Sequence, residues 1–564
     1  MAEIAGARTE LCGDSVVAMH VTGASVAELL GRVRTIAAAI HAAALPGVTD
    51  VVASPGRVAA AYDPLVGDDP DALRRAVAAA AAAADGKPCG DSIVHEIPVV
   101  YDGPDLAEVC DRHGIDRAEF VAAHTAPDYL VEAIGFLPGF GYLAGLPANL
   151  ATPRRATPRR LVPVGAVGLG GGQTGVYPFA SPGGWNLVGR SPVPLFDVAR
   201  SRPSLLAVGD RVRFEAADLS PAAEPRPVAA RAAVKDAAIT VIQPGLFTTV
   251  QDLGRPGHRA IGVPLSGAAD VVSHRMANLL VGNPESAAAL ECTLVGPTLR
   301  FERETVVALV GAEFPGLPGG VALRVPADAE FALGHAVTGC RGYLAVAGGI
   351  DVEPVLGSRS TLVVAGLGGL AGRPLRAGDR LATGTDGKPD PHGVSDSRQP
   401  ARSGQRAGTP PLLGAAGLQS AEWCGPPHGR PRVLRIIPGE HAEAFGDRAW
   451  TEIFCASSRS DRMGVRLAGQ PLPGAAVGGG LASVPVFPGT VQVPPDGLPI
   501  VLSADAQTIG GYPVLGQVIM ADLPRAAQLR PGDEVRFQPV SLAEAHAALR
   551  EREMRIAAVR EAVR

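Results

Sequence analysis

One run of residues occurs twice and limits what the chain can fold into. Residues 172–178 read Gly-Gln-Thr-Gly-Val-Tyr-Pro, and residues 507–513 read Gln-Thr-Ile-Gly-Gly-Tyr-Pro. Each copy runs on to a matching end, Gly209-Asp210-Arg211-Val212-Arg213-Phe214 after the first and Gly532-Asp533-Glu534-Val535-Arg536-Phe537 after the second. A third such end, Gly378-Asp379-Arg380-Leu381, lies between them. Gly-Asp ahead of alternating apolar residues is a turn followed by a strand. Three similar ends call for three related β-units. Around the first copy, residues 165–197 alternate Gly and Pro with β-type apolar residues, as short strands joined by tight turns do.

Composition agrees. A chain of 564 residues is too long for one core, and two to four domains are expected. Its 70 Gly and 51 Pro suit many turns better than long helices. A net charge of −5 leaves no basic footprint for nucleic acid. The seven cysteines are scattered without a C-x-x-C pair, so neither a zinc site nor a disulfide framework follows, and no metal is expected. No charged-then-apolar leader opens the sequence, and the longest apolar run, residues 76–84, is too short to span a bilayer. The chain reads as cytoplasmic, with no membrane contact.

In chain order, residues 14–22, 48–53, 57–62 and 92–101 are strand-like, while 25–44 and 71–84 carry helical spacing. The order β-α-β-β-α-β is that of a ferredoxin-like unit. Helices at 106–113 and 117–124 follow, then a strand at 129–134. The loop 135–145 carries Phe136, Phe140 and Tyr142 and is followed by the pairs Arg154-Arg155 and Arg159-Arg160; aromatics beside clustered arginines mark a site wall.

Familiar catalytic motifs are absent. Gly86-Lys87 and Gly387-Lys388 are both followed by proline, so no P-loop exists. No Gly-x-Ser-x-Gly elbow and no H-E-x-x-H occurs. None of the lysines (Lys87, Lys235, Lys388) sits between methionines, so no biotin attachment site is present.

The loop 135–143, the run 172–178 and Ser181-Pro182-Gly183-Gly184-Trp185 together resemble the B subunit of bacterial 5-oxoprolinase, the KipI family. Asp14-Ser15 and Ile97-Pro98-Val99 fit the same family. Gln243-Pro244-Gly245, residues 251–257, 278–291, 344–350, 457–464 and 503–508 resemble the C subunit, the KipA family. The resemblance implies a mainly β fold with α+β: a small ferredoxin-like N-terminal domain followed by three cyclophilin-like β-barrel domains. The implied division is 1–90 for the α+β domain, 91–220 for the first barrel, 221–238 for a linker and 239–383 for the second barrel. A flexible linker at 384–430, a third barrel at 431–540 and a C-terminal helix at 541–564 complete it.

What the resemblance implies about function is a fused B/C component of an ATP-dependent 5-oxoprolinase, needing a separate A-type subunit. ATP would act in the assembled complex. Two other readings stay open: a carboxyltransferase component acting on urea- or allophanate-type substrates with biotin in trans, and a non-enzymatic regulator of a histidine kinase. Self-association into a homo-oligomer is also open. Asp505, Gln507 and Asp252 are the candidate catalytic groups. Phe140, Tyr142, Gln173, Thr174, Tyr177, Arg459, Arg462 and Tyr512 are the candidate substrate-binding groups. On a strand, Asp505 and Gln507 would share one face. Gln507 is therefore expected to matter more than Gln173, which has Gly171 in the equivalent place.

Overall fold

The structure, a computed structural model, describes residues 3–4, 7–67, 69–84, 92–218, 237–384, 431–474 and 481–563. Nearly all of the linkers expected at 221–238 and 384–430 lies outside the described residues. The fold is mainly β, with a small α+β unit ahead of β-barrels.

The three Gly-Asp ends are three copies of one turn. Gly209, Gly378 and Gly532 hold φ of 85°, 85° and 91°, a left-handed region that side chains disfavour. The aspartate that follows accepts a backbone N–H from three residues earlier: Ala207 to Asp210 at 3.0 Å, Arg376 to Asp379 at 2.6 Å, Arg530 to Asp533 at 2.9 Å. Strands Arg211–Ala216, Arg380–Thr383 and Glu534–Pro539 leave these turns. The first runs parallel to Val94–Val99 and the last parallel to Arg432–Pro438, so in both units the final strand lies along an early one. The middle unit departs from this, since Arg380–Thr383 pairs antiparallel with Ile239–Gln243.

The first of these units is a seven-stranded sheet whose ends are joined by Val100 and Arg190, which exchange two backbone hydrogen bonds of 2.9 Å. Tyr129, Val131, Leu143, Leu169 and Phe214 fill it. The last is a closed seven-stranded barrel around Leu434, Phe454, Val491, Leu515 and Phe537. The middle unit comprises two five-stranded sheets, with Ile239, Val250, Leu290, Leu309 and Leu344 among its shared core.

The N-terminal unit corrects one expectation. Helices Val26–Ala42 and Pro70–Ala84 form as anticipated, the first capped by the Ser25 hydroxyl accepting from the Glu28 N–H at 3.2 Å. Strand Val94–Val99, however, does not return to this sheet; it joins the first barrel. The place beside Val16–Val21 is taken by Ala7–Cys12, which pairs with it through a short local turn. Local closure costs little chain entropy, so a hairpin supplies the edge that a distant strand was expected to supply.

Candidate active site between two barrel rims

Residues 251–267 of the middle unit touch every other unit. The Arg259 N–H donates to Asp50 Oδ1 of the N-terminal unit at 2.9 Å. The Ile261 carbonyl accepts from the Gly139 N–H of the first barrel at 2.9 Å, and the Ser266 N–H donates to the Ala504 carbonyl of the last barrel at 2.9 Å. Phe136 and Ser266 hold φ of 65° and 53°. Such strain in non-glycine residues persists only where the surroundings fix it.

At this junction the rims of the first and last barrels meet. Strand Asp128–Ile134 ends at Gly135. A Cβ there would lie 2.6 Å from Ile509 Cβ and 3.1 Å from Thr508 Oγ1, so only hydrogen fits. Ala133, Phe487 and Ile509 share one apolar cluster with Val16, Val52 and Ala59, and Tyr142 packs on it.

Half-buried polar groups flank the contact. Gln173 Nε2 donates to Glu132 Oε2 at 2.7 Å. Burial raises the Glu132 carboxyl above the ordinary range, and the Gln173 amide only partly offsets this. Across the contact, Gln507 Nε2 reaches Gln492 Oε1 at 3.5 Å. Gln492 is buried, and its Nε2 has no partner among the described residues. Burial also raises the Tyr142 hydroxyl; the Arg154 charge opposes that, and Tyr177 and Tyr512 add to it. Tyr512 of the last barrel is 40% exposed. Tyr142 thus lies at the contact itself, while Gln173 belongs to the first barrel and Gln507 and Tyr512 to the last. Sequence reasoning missed Glu132, a lone acid in a strand, and Gln492. It noted Arg154 only as part of a cluster.

Other candidates lie elsewhere. Thr174 is inside the first barrel, as one link of a buried chain. The Tyr101 hydroxyl donates to His124 Nδ1 at 2.8 Å, His124 Nε2 donates to Thr174 Oγ1 at 3.1 Å, and the Thr174 hydroxyl donates to the Gly168 carbonyl at 3.1 Å. Burial lowers His124 to about 3, so the ring is neutral, as one donor and one acceptor nitrogen require. Phe140 and Tyr177 are buried in an aromatic cluster with Phe136 and Trp185, their ring centroids 5.3 Å apart. They brace the loop from beneath.

Asp505 and Arg462 are paired with each other. Arg462 Nε donates to Asp505 Oδ2 at 2.8 Å and Nη2 to Asp505 Oδ1 at 3.0 Å. Nη2 also donates to the Gly267 carbonyl at 2.6 Å, and Nη1 bonds Glu291 Oε1. Residues 503–508 form a turn, not a strand, so Asp505 and Gln507 do not share a face. Asp252 is likewise committed: it accepts from the Gly254 N–H (2.8 Å), the Arg359 N–H (2.6 Å), the Ser358 hydroxyl (2.7 Å) and the Ser360 hydroxyl. It staples two loops. Arg459 is exposed, and it is its backbone N–H that donates to Ser457 Oγ.

Chemically, the two rims carry a carboxyl with a raised proton affinity, three side-chain amides and an arginine whose charge acts on Tyr142. A carboxyl of that kind suits proton transfer near neutrality, amides match an amide ligand as both donor and acceptor, and arginine matches a carboxylate.

Comparison with known proteins places the chain. Residues 7–206 match the family model for carboxyltransferase domain, subdomain C and D, and residues 261–539 match that for subdomain A and B. The chain belongs to this carboxyltransferase-domain family. Within it, the chain is 39% identical to the C subunit of 5-oxoprolinase from Escherichia coli over 317 residues, which is 54% of this chain and 93% of that protein. It is also 56% identical to the B subunit of 5-oxoprolinase from Escherichia coli O157:H7 over 122 residues, 21% of this chain and 56% of that protein. It therefore joins B-like and C-like parts in one polypeptide. The crystal structure of TTHA0988 superimposes with a TM-score of 0.76 at 36% identity, covering 93% of this chain and 99% of that one.

Proposed function

We propose that the chain is the B/C component of an ATP-dependent 5-oxoprolinase, acting with a separate A-type subunit to open the lactam of 5-oxoproline to glutamate. What supports this reading is that the motif-bearing rims of its B-like and C-like parts are in direct contact, with Glu132, held by Gln173, three residues before the contact at Gly135.

Opening an unstrained lactam needs an external driving force, which ATP supplies. The sequence carries no P-loop for the nucleotide. Nucleotide binding therefore falls to the A-type partner. At the contact between the rims, the Gln507 and Gln492 amides hold the lactam group. Glu132, oriented by Gln173, takes a proton from the attacking water. The water oxygen adds to the lactam carbon, activated by a phosphoryl group transferred from ATP, the C–N bond breaks, and the ring nitrogen takes the proton held by Glu132 to leave as the amine; a second water then displaces the phosphate.

The test is reconstitution of the purified chain with its A-type partner, ATP and 5-oxoproline. Glutamate should form only when chain, partner and ATP are all present. Full activity of the partner without this chain would overturn the reading.

A further inference from the structure

Arg259 sits at the junction, is 2% exposed, and its guanidinium hydrogen-bonds no carboxylate among the described residues. Its backbone N–H is held by Asp50, its Nη2 donates to the Val486 carbonyl, and the guanidinium lies 4.8 Å from the centre of the Phe487 ring. Nε and Nη1 bond no described residue. Burial lowers Arg259 to about 10, and the Asp50 charge only partly opposes that. Desolvating a guanidinium without a hydrogen-bonded anion costs several kcal/mol, and buried polar groups in native proteins are nearly all satisfied.

A second orphan lies beside it. Thr508 is fully buried, its Oγ1 has no partner among the described residues, and its carbonyl accepts from the Val486 N–H at 3.0 Å. Val486 thus ties Arg259 and Thr508 to one spot through its carbonyl and its N–H. Gly135 of the first barrel comes so close that a Cβ there would lie 3.1 Å from Thr508 Oγ1. The middle unit and the last barrel thus each supply a buried donor that has no partner among the described residues, at the place where the three units meet.

We infer that Arg259 and Thr508 form an internal site for one oxyanion, either a carboxylate or a phosphoryl group, enclosed where the B-like and C-like parts meet. The inference rests on the proposed function only in placing that site at the same rim contact; the site itself follows from the orphaned donors. A carboxylate bound there would be that of the substrate, and a phosphoryl group would be one transferred during the reaction.

Isothermal titration of the purified full-length chain tests this without turnover. Inorganic phosphate, 5-oxoproline and the uncharged analogue 2-pyrrolidone are the three probes. Phosphate or 5-oxoproline should bind, and 2-pyrrolidone at least about tenfold more weakly; which anion binds more tightly identifies the source. Arg259→Met should weaken anion binding at least tenfold. Because it removes an unpaired buried charge, it should melt no lower than the parent protein when no anion is present. Thr508→Val should weaken binding by a smaller factor and serves as the second variant should Arg259→Met fail to fold. Anion affinity unchanged in both variants, or no binding of either anion at millimolar concentration, overturns the inference. If the anion binds and the variants lose it while the reconstituted complex makes no glutamate, the site stands and the functional reading falls. Full turnover by Arg259→Met means the reverse.

Discussion

Arg462 of the last barrel and Glu291 of the middle unit form an ion pair across the seam between those units, with side-chain exposures of 6% and 0%. Neither charge is left short of partners. Glu291 Oε2 accepts from the Tyr343 hydroxyl at 2.7 Å and the Ala269 N–H at 3.0 Å, and Arg462 also holds Asp505. Gln528 extends the network, donating to Asp270 Oδ2 and to the Arg341 carbonyl, both at 2.8 Å. A buried ion pair is weak evidence of net stability, but a poor thing to break.

Arg462→Ala should therefore destabilise the chain by about 3–5 kcal/mol, because it strands two buried carboxylates. The loss should be larger at pH 7 than at pH 4. Burial works to raise Glu291, but Arg462 and Arg341 outweigh it and hold the carboxyl below its ordinary value. The stability it contributes is thus present above the ordinary glutamate range and is lost as pH falls through the lowered one. Once unpaired, the same group is relieved by protonation, so low pH narrows the gap. Denaturant unfolding of both proteins at the two pH values is the check. A gap that widens at pH 4 contradicts the pairing.

Asp14 should show the opposite sign. It is fully buried, Oδ2 accepts from the Met520 N–H at 2.7 Å, and Oδ1 has no partner among the described residues. Burial raises it to about 6. A raised carboxyl favours the fold when protonated and penalises it as pH rises from about 4 to above 6. At about 1.4 kcal/mol per unit, the penalty is on the order of 3 kcal/mol. Asp14→Asn should raise the melting temperature at pH 7.5 and change it little at pH 4. Equal shifts at both pH values would show that the carboxyl carries no such penalty.

Much of this was legible in the residues, and the remainder was hidden for physical reasons. The Gly-Asp ends were legible because the turn needs a left-handed glycine and an acceptor three residues past the N–H it bonds, both local demands. Strand 92–101 was recognised as a strand, but alternation does not say which sheet a strand joins; its partner Arg211–Ala216 lies far along the chain. The Gln-Thr repeat marked the two rims, but not that Gln173 falls inside a strand while Gln507 falls in a turn. Asp505 looked free because its partner Arg462 is remote in sequence. Glu132 carried no signal beyond being an acid in an apolar strand, and only burial and the Gln173 amide distinguish it.

Thr174→Val separates structure from chemistry within one repeat. It removes the acceptor of His124 Nε2 in a fully buried chain, at a cost of about 1–3 kcal/mol. Turnover of the reconstituted complex, measured well below the melting temperature, should stay within a factor of about two. A large loss of turnover at unchanged stability would return Thr174 to the site.

The most direct test of a site between the rims is glutamate release by the reconstituted complex carrying Gln173→Ala or Gln507→Ala, alongside the melting temperature of each chain. Gln173 orients the half-buried Glu132, whereas Gln507 touches only Gln492, and at 3.5 Å. Gln173→Ala should thus lower turnover about 100-fold or more, as loss of a transition-state hydrogen bond does, and Gln507→Ala should lower it less. Each should cost at most about 1 kcal/mol of stability. Full turnover in both variants, with only a thermal effect, would contradict the account.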